Sequence, residues 1–107
     1  LLDIPQMAET TKQMLRDSIE AFINEEAAVA KKVCERDTVV DELHVQVFRE
    51  LITFMSADPA TIERSLHLIR IASNLERIAD LVTNICEDVI FMVEGRVIKH
   101  HYEEEKT

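Results

Sequence analysis

Breaks are almost missing from this sequence. One Gly and two Pro occur in 107 residues, which leaves room for few turns and calls for long elements. Trp is absent, Tyr occurs once and Phe four times. That scarcity excludes a base-stacking platform for single-stranded nucleic acid. Positive charge is also in deficit: 12 Lys and Arg stand against 21 Asp and Glu, a formal net charge of −9. A surface of that sign repels nucleic acid and anionic lipid, and suits cations or basic patches on a protein partner. No apolar run approaches the roughly 20 residues of a membrane span, and no signal peptide is visible. The expected location is the cytoplasm, peripheral to a membrane complex at most. Cys34 and Cys86 lack CxxC spacing, so two reduced, buried thiols are expected. The chain starts without Met, which points to a fragment or a trimmed form.

What is abundant is Ala, Leu, Glu, Arg and Lys, all helix formers. The length bounds the chain to one domain with a modest core. Asp3 and Pro5 open a first helix expected to reach about Cys34, with Met7, Met14, Leu15, Ile19, Phe22, Val29 and Val33 at helical spacing. Glu35, Arg36 and Asp37 form a charged break, and Asp37 is expected to cap a second helix running to about Met55. The stripe of that helix is Val40, Leu43, Val47, Leu51 and Phe54. Asp58-Pro59 is a start signal for a third helix, ended by Gly95 in a left-handed cap. Leu68, Ala72, Leu75, Ala79, Val82, Cys86, Val89 and Val93 form its heptad seam. Short connections make neighbours antiparallel. The expected fold is all-α: an up-down-up, spectrin-like antiparallel three-helix bundle over residues 1–95, followed by a polar tail over 96–107. His100 and His101 in that tail are expected in solvent.

One side of the third helix changes character. It begins as core, with Ile62, Leu66 and Ile69, and continues as Ser73, Glu76, Asp80, Asn84 and Glu87. Glu76 and Asp80 are one turn apart, so their carboxylates converge and repel. A multivalent cation is the simplest thing to offset that repulsion, and hard cations and iron accept oxygen-rich ligand sets. Asp37 and Asp41 make a second one-turn pair. Folding the chain back near Ala57 brings Asp37 opposite about Arg77 and Asp41 opposite about Ser73. Two acidic pairs then arrive at nearly the same level from two helices. The bland alternative is a solvated face neutralised by Arg64, Arg70 and Arg77. His44, one turn after Asp41, is a possible ligand, although a lone His beside a core more often packs.

The stretch Asn74-Leu75-Glu76-Arg77-Ile78-Ala79-Asp80, followed by Thr83-Asn84-Ile85, resembles the signature of the PhoU family of bacterial phosphate-signalling regulators. Asp37-Thr38-Val39-Val40-Asp41-Glu42-Leu43 is similar to its companion acidic motif. The likeness covers nearly all of the chain, which looks like one of the family's two three-helix repeats, most similar to the C-terminal half. It departs at Ala79, where Gly is common. The resemblance implies that Asp37, Asp41, Glu76 and Asp80 belong to metal-binding motifs for iron or zinc, with Asn84 and Glu87 as secondary members. It further implies a non-enzymatic adaptor between the phosphate ABC transporter ATPase and a sensor histidine kinase, holding the phosphate-starvation response off. A homodimer is expected, with the second copy standing in for the missing repeat.

Two other readings compete. A metal-free oligomerisation bundle needs no converging carboxylates. A carboxylate-bridged metal oxidase uses Glu-x-x-His pairs on four helices, and here Asp41-x-x-His44 is the nearest approach.

Overall fold

The computed structural model describes residues 3–106. Three helices follow in order: α1 (Ile4–Asn24), α2 (Ala27–Ala57) and α3 (Ile62–Lys106), with a single 3-10 turn at Pro59–Thr61 between the last two. The result is an up-down-up bundle drawn out to 73 × 18 × 16 Å. The long dimension follows from α3, whose 45 residues span roughly 67 Å at 1.5 Å per residue.

The first helix ends ten residues earlier than the sequence pattern suggests. Glu25 adopts the left-handed conformation, φ 54° and ψ 45°. Its N–H bonds the Phe22 carbonyl at 3.4 Å, and the Glu26 N–H bonds that of Ala21 at 2.9 Å. This is a Schellman cap, normally built on Gly. The charged run Glu35-Arg36-Asp37 is made of residues a helix tolerates. It lies inside α2, so Asp37 is a mid-helix residue and not a cap.

The second turn matches its signal more closely. The Asp58 carboxylate accepts from the Ala60 N–H at 3.0 Å, and the Thr61 hydroxyl reaches the Asp58 carbonyl at 2.7 Å. Pro59 occupies the first position, where its missing N–H costs nothing.

Gly95 does not end α3. It has no positive φ, and the helix continues to Lys106. A lone exposed Gly costs about 1 kcal/mol against Ala, less than the flanking residues supply. The tail expected at 96–107 is therefore helical as far as Lys106. Thr107 and the side chains of His100 and His101 lie outside the described residues. A methyl group at Gly95 would meet nothing within 4 Å. Gly95→Ala is expected to stabilise the protein by about 0.5–1 kcal/mol, read as a higher thermal midpoint.

Heptad-like positions of all three helices build the core: Met7, Met14 and Ala21 from α1, Val33, Val40, Val47 and Leu51 from α2, and Ala72, Ala79, Val82, Cys86 and Val89 from α3. Leu43, Leu68, Leu75, Val29 and Val93 pack against its edge. Leu15, Ile19, Phe22 and Phe54 do not join it, nor do Ile62 and Leu66 at the start of α3, where the expected core stripe keeps only Ile69; all six are exposed. On α1 the facing positions are taken instead by Thr11 and Ser18, and the Ser18 hydroxyl is satisfied by the Leu15 carbonyl at 2.7 Å. Ion pairs tie the helices outside the core: Asp17 with Arg36, Glu25 with Arg96, and Lys31 with Glu94 at 2.6 Å.

Candidate metal centre

The antiparallel crossing of α2 and α3 sets the register of the site. His44 lies beside Ser73, with Nε2 and Oγ 3.4 Å apart, and the Cys34 thiol lies 4.0 Å from the Thr83 carbonyl. That alignment puts Asp37 opposite Asp80, three positions further along α3 than a reversal at Ala57 implies. The added 3-10 turn at Pro59–Thr61 accounts for the shift.

Carboxylate oxygens of Asp37, Asp41 and Asp80 all lie within 4.8 Å of one another. Asp37 is half-buried at the floor of the groove, while Asp41 and Asp80 stand exposed at its rim. Asp37 Oδ1 is buried and has no hydrogen-bond partner. Burial raises the Asp37 carboxyl above its ordinary value, and the charges of Asp41 and Asp80 raise it further; the nearby Thr83 hydroxyl works the other way. A carboxylate with one buried, unpartnered oxygen among other anions is costly unless something positive joins it.

Glu76 forms the next level. Its Oε2 closes on His44 Nδ1 as an ion-pair contact. Burial raises the Glu76 carboxyl; His44 opposes this, while Asp41 and Asp80 reinforce it. Glu76 thus adjoins the triad without being one of its three converging groups. His44 is the member that residue-by-residue reading undervalued. Its signal was the one-turn spacing from Asp41, which puts both side chains on one face of α2.

Asn84 and Glu87 are exposed and lie outside the triad. Glu87 acts instead on the thiols, raising Cys34 after the larger effect of burial. Burial pushes the Cys86 thiol up to about 11, so it is protonated at neutral pH and a poor ligand or nucleophile.

All the converging donors are oxygens, with an imidazole one step away. Such a set fits a hard or borderline multivalent cation, and the orphaned Asp37 oxygen is a ready donor for it.

The family model described as PhoU domain matches residues 4–89. The chain belongs to the PhoU family. It is 43% identical over 105 residues to the phosphate-specific transport system accessory protein PhoU homolog of Aquifex aeolicus, covering 98% of this chain and 48% of that protein. It is 38% identical over 104 residues to PhoU homolog 2 of Thermotoga maritima, covering 97% of this chain and 44% of that protein. The crystal structure of PhoU from Pseudomonas aeruginosa superposes with a TM-score of 0.83 at 35% identity, over 85% of this chain and 44% of that one. The chain therefore spans about half the length of the PhoU relatives it matches. Among the described residues, no helix is long and apolar enough to cross a membrane.

Proposed function

We propose that this PhoU-family chain is a regulatory accessory of phosphate transport whose acidic groove holds a multivalent metal ion. One observation carries the metal: three carboxylates from two helices converge around a buried, unpartnered oxygen of Asp37. Asp37, Asp41 and Asp80 would hold the ion, with Glu76 and His44 bordering it. Bound there, iron, zinc or a similar cation supplies positive charge that neutralises the cluster and joins α2 to α3. The residues themselves do the rest. Asp37 anchors the groove floor, Asp41 and Asp80 keep its mouth acidic, and the Glu76–His44 pair fixes the wall beside them.

The regulatory role rests on relatives named as phosphate-specific transport accessory proteins. Within that role, the chain acts without catalysis, as an adaptor between the transporter ATPase and a sensor histidine kinase, and as a homodimer.

Protein purified without chelator is expected to carry iron, zinc or another multivalent ion by elemental analysis. The Asp41→Ala/Asp80→Ala variant is expected to carry little, with its helical circular dichroism retained. Equal metal content in the two proteins would refute the site. Retention of the transporter ATPase and of the sensor kinase on the immobilised protein tests the adaptor role, and retention of neither would sink it.

A further inference from the structure

Two thiols face each other where α2 meets α3, beside the acidic groove. Cys34 belongs to α2 and is half-buried; Cys86 belongs to the α3 seam and is fully buried. Both are free, and Cys34 packs against the core that contains Cys86. They are the only cysteines in the sequence.

The antiparallel crossing sets their register. The Cys34 thiol stands 4.0 Å from the Thr83 carbonyl, and Cys86 follows Thr83 by nearly one turn. That offset is roughly 4.5 Å along the helix axis. Helical side chains lean towards the N-terminus of their own helix. On antiparallel helices the two leans oppose, so Cys34 tilts towards the level of Cys86 and Cys86 tilts back towards Cys34. The thiols meet as a hydrogen-bonded pair, with Cys86 donating to the Cys34 sulfur. A disulfide spans α-carbons about 4.4–6.8 Å apart. Facing residues on helices about 8–10 Å apart, offset by this much, fall at roughly 6–7 Å. The neighbours favour the near end of that range. Ala30, one turn before Cys34, and Ala79, two turns before Cys86, are fully buried and hold nothing larger than a methyl between the helices.

The two sulfurs differ in chemistry. Burial raises the Cys34 thiol and the Glu87 charge adds to that, while the hydrogen bond from Cys86 works the other way. Cys86 is pushed up to about 11, by burial first and then by Cys34. Cys34 is therefore the readier nucleophile, and it is the one that solvent reaches. Cys86 reacts poorly with anything in solution. Held beside Cys34, its reaction is intramolecular, and effective concentrations of that kind far exceed those of free reactants.

We propose that Cys34 and Cys86 form an oxidisable dithiol, closed to a disulfide by low-molecular-weight disulfides of the glutathione type, which staples α2 to α3 beside the acidic groove. The Cys34 thiolate attacks one sulfur of the small disulfide and releases the other as a thiolate. Cys86 gives its proton to water and attacks the Cys34 sulfur, forming the protein S–S bond and expelling the second small thiolate. Two protein thiols lose two electrons and two protons, and one small disulfide becomes two thiols. Under a reducing thiol pool the pair stays open. The closed loop from Cys34 to Cys86 contains Asp37, Asp41 and Asp80, so the bond holds together the helices that carry them. The assignment does not depend on a bound metal.

Incubation of the folded 107-residue chain with excess glutathione disulfide tests it. Intact mass spectrometry is expected to show a species lighter by two hydrogens, and a proteolytic digest a peptide linking Cys34 to Cys86. The thermal midpoint is expected to rise by roughly 10 °C, as closure of a long loop allows, and to fall back on adding dithiothreitol. Cys86→Ala is expected to stop with glutathione held on Cys34, and Cys34→Ser to resist modification. Should Cys86→Ala fail to fold, the linked peptide and the midpoint of the parent still decide. No change in mass, or glutathione retained on Cys34 of the parent, would overturn the pairing, as would a link between two chains. A disulfide that forms only after unfolding in urea, or that lowers the midpoint, would overturn the staple. Modification of Cys86 in Cys34→Ser would overturn the order of attack.

Discussion

Asp37→Asn should raise the melting temperature of metal-stripped protein and, in the same molecule, abolish most of the stabilisation that added metal gives the parent. The two effects have opposite signs because Asp37 carries an electrostatic penalty without a cation and is a ligand of the proposed one. Its carboxyl is raised above its ordinary 3.8, first by burial and then by Asp41 and Asp80. The folded state therefore holds its proton to higher pH than the unfolded state. As pH rises through the window above 3.8, the unfolded chain ionises first and stability falls. Glu76, raised above 4.5, adds a second contribution of the same sign. At neutral pH the stripped parent carries the full penalty. Asn is nearly isosteric and uncharged, so it removes Asp37's share. About 1 kcal/mol moves the midpoint of a domain this size by roughly 4–8 °C, so a gain of a few degrees is expected. For the parent, metal at 100 times its Kd adds about 2.7 kcal/mol, and the variant should gain little. Thermal denaturation at pH 5 and pH 7.5, with and without metal, checks all four cases. The stripped parent's disadvantage against Asp37→Asn should be smaller at pH 5 than at pH 7.5 and close further as pH falls towards 3.8. If Asp37→Asn melts lower than the parent in the stripped state, the cluster is a satisfied structural network and not a site awaiting a cation.

The parts of this molecule that follow from periodicity and hard punctuation were legible in its sequence. The number of helices, the Asp58-Pro59 turn and the α3 seam through Ala72, Ala79, Cys86 and Val89 all stand where spacing put them. The α1–α2 turn was not legible, because Glu25 takes a left-handed conformation usually assigned to Gly, closed by the cap hydrogen bonds to Phe22 and Ala21. The one Gly misled for the converse reason: at an exposed helical position it is merely a weak helix former. Leu15, Ile19 and Phe22 read as core because apolar spacing cannot tell a seam facing its own bundle from one left facing outward. For the site, one-turn spacing on two helices was enough to assemble Asp37, Asp41 and Asp80. The Glu76–His44 pairing depended on a register offset set by the Pro59–Thr61 turn, which no side-chain pattern encodes.

Ala79→Leu should damage both the core and the proposed metal site, and Ala79→Gly should damage only the first. Ala79 is fully buried on the seam of α3, and Asp80 follows it directly. The Ala79 carbonyl accepts from the Thr83 hydroxyl at 2.7 Å, locking the turn that carries Asp80. Leu adds three carbon atoms where a core at crystal-like density has no space for them. Overpacking of this kind costs about 1–3 kcal/mol and is relieved by moving a backbone. The movable backbone is α3, displaced from its neighbours, and Asp80 travels with it. Since oxygens of Asp37, Asp41 and Asp80 meet within 4.8 Å, a displacement on the order of 1 Å is large against the tolerance of a coordination shell. Metal affinity is expected to fall at least about tenfold. Gly at the same position costs about 1 kcal/mol in helix propensity and adds no volume, so the helices stay close and metal binding persists. Calorimetric titration of folded, stripped variants separates the cases. Parent-like affinity in a destabilised Ala79→Leu protein would mean that the carboxylates reach the ion by side-chain adjustment alone. The close approach of α2 and α3 would then be a property of the core with no hold on the site.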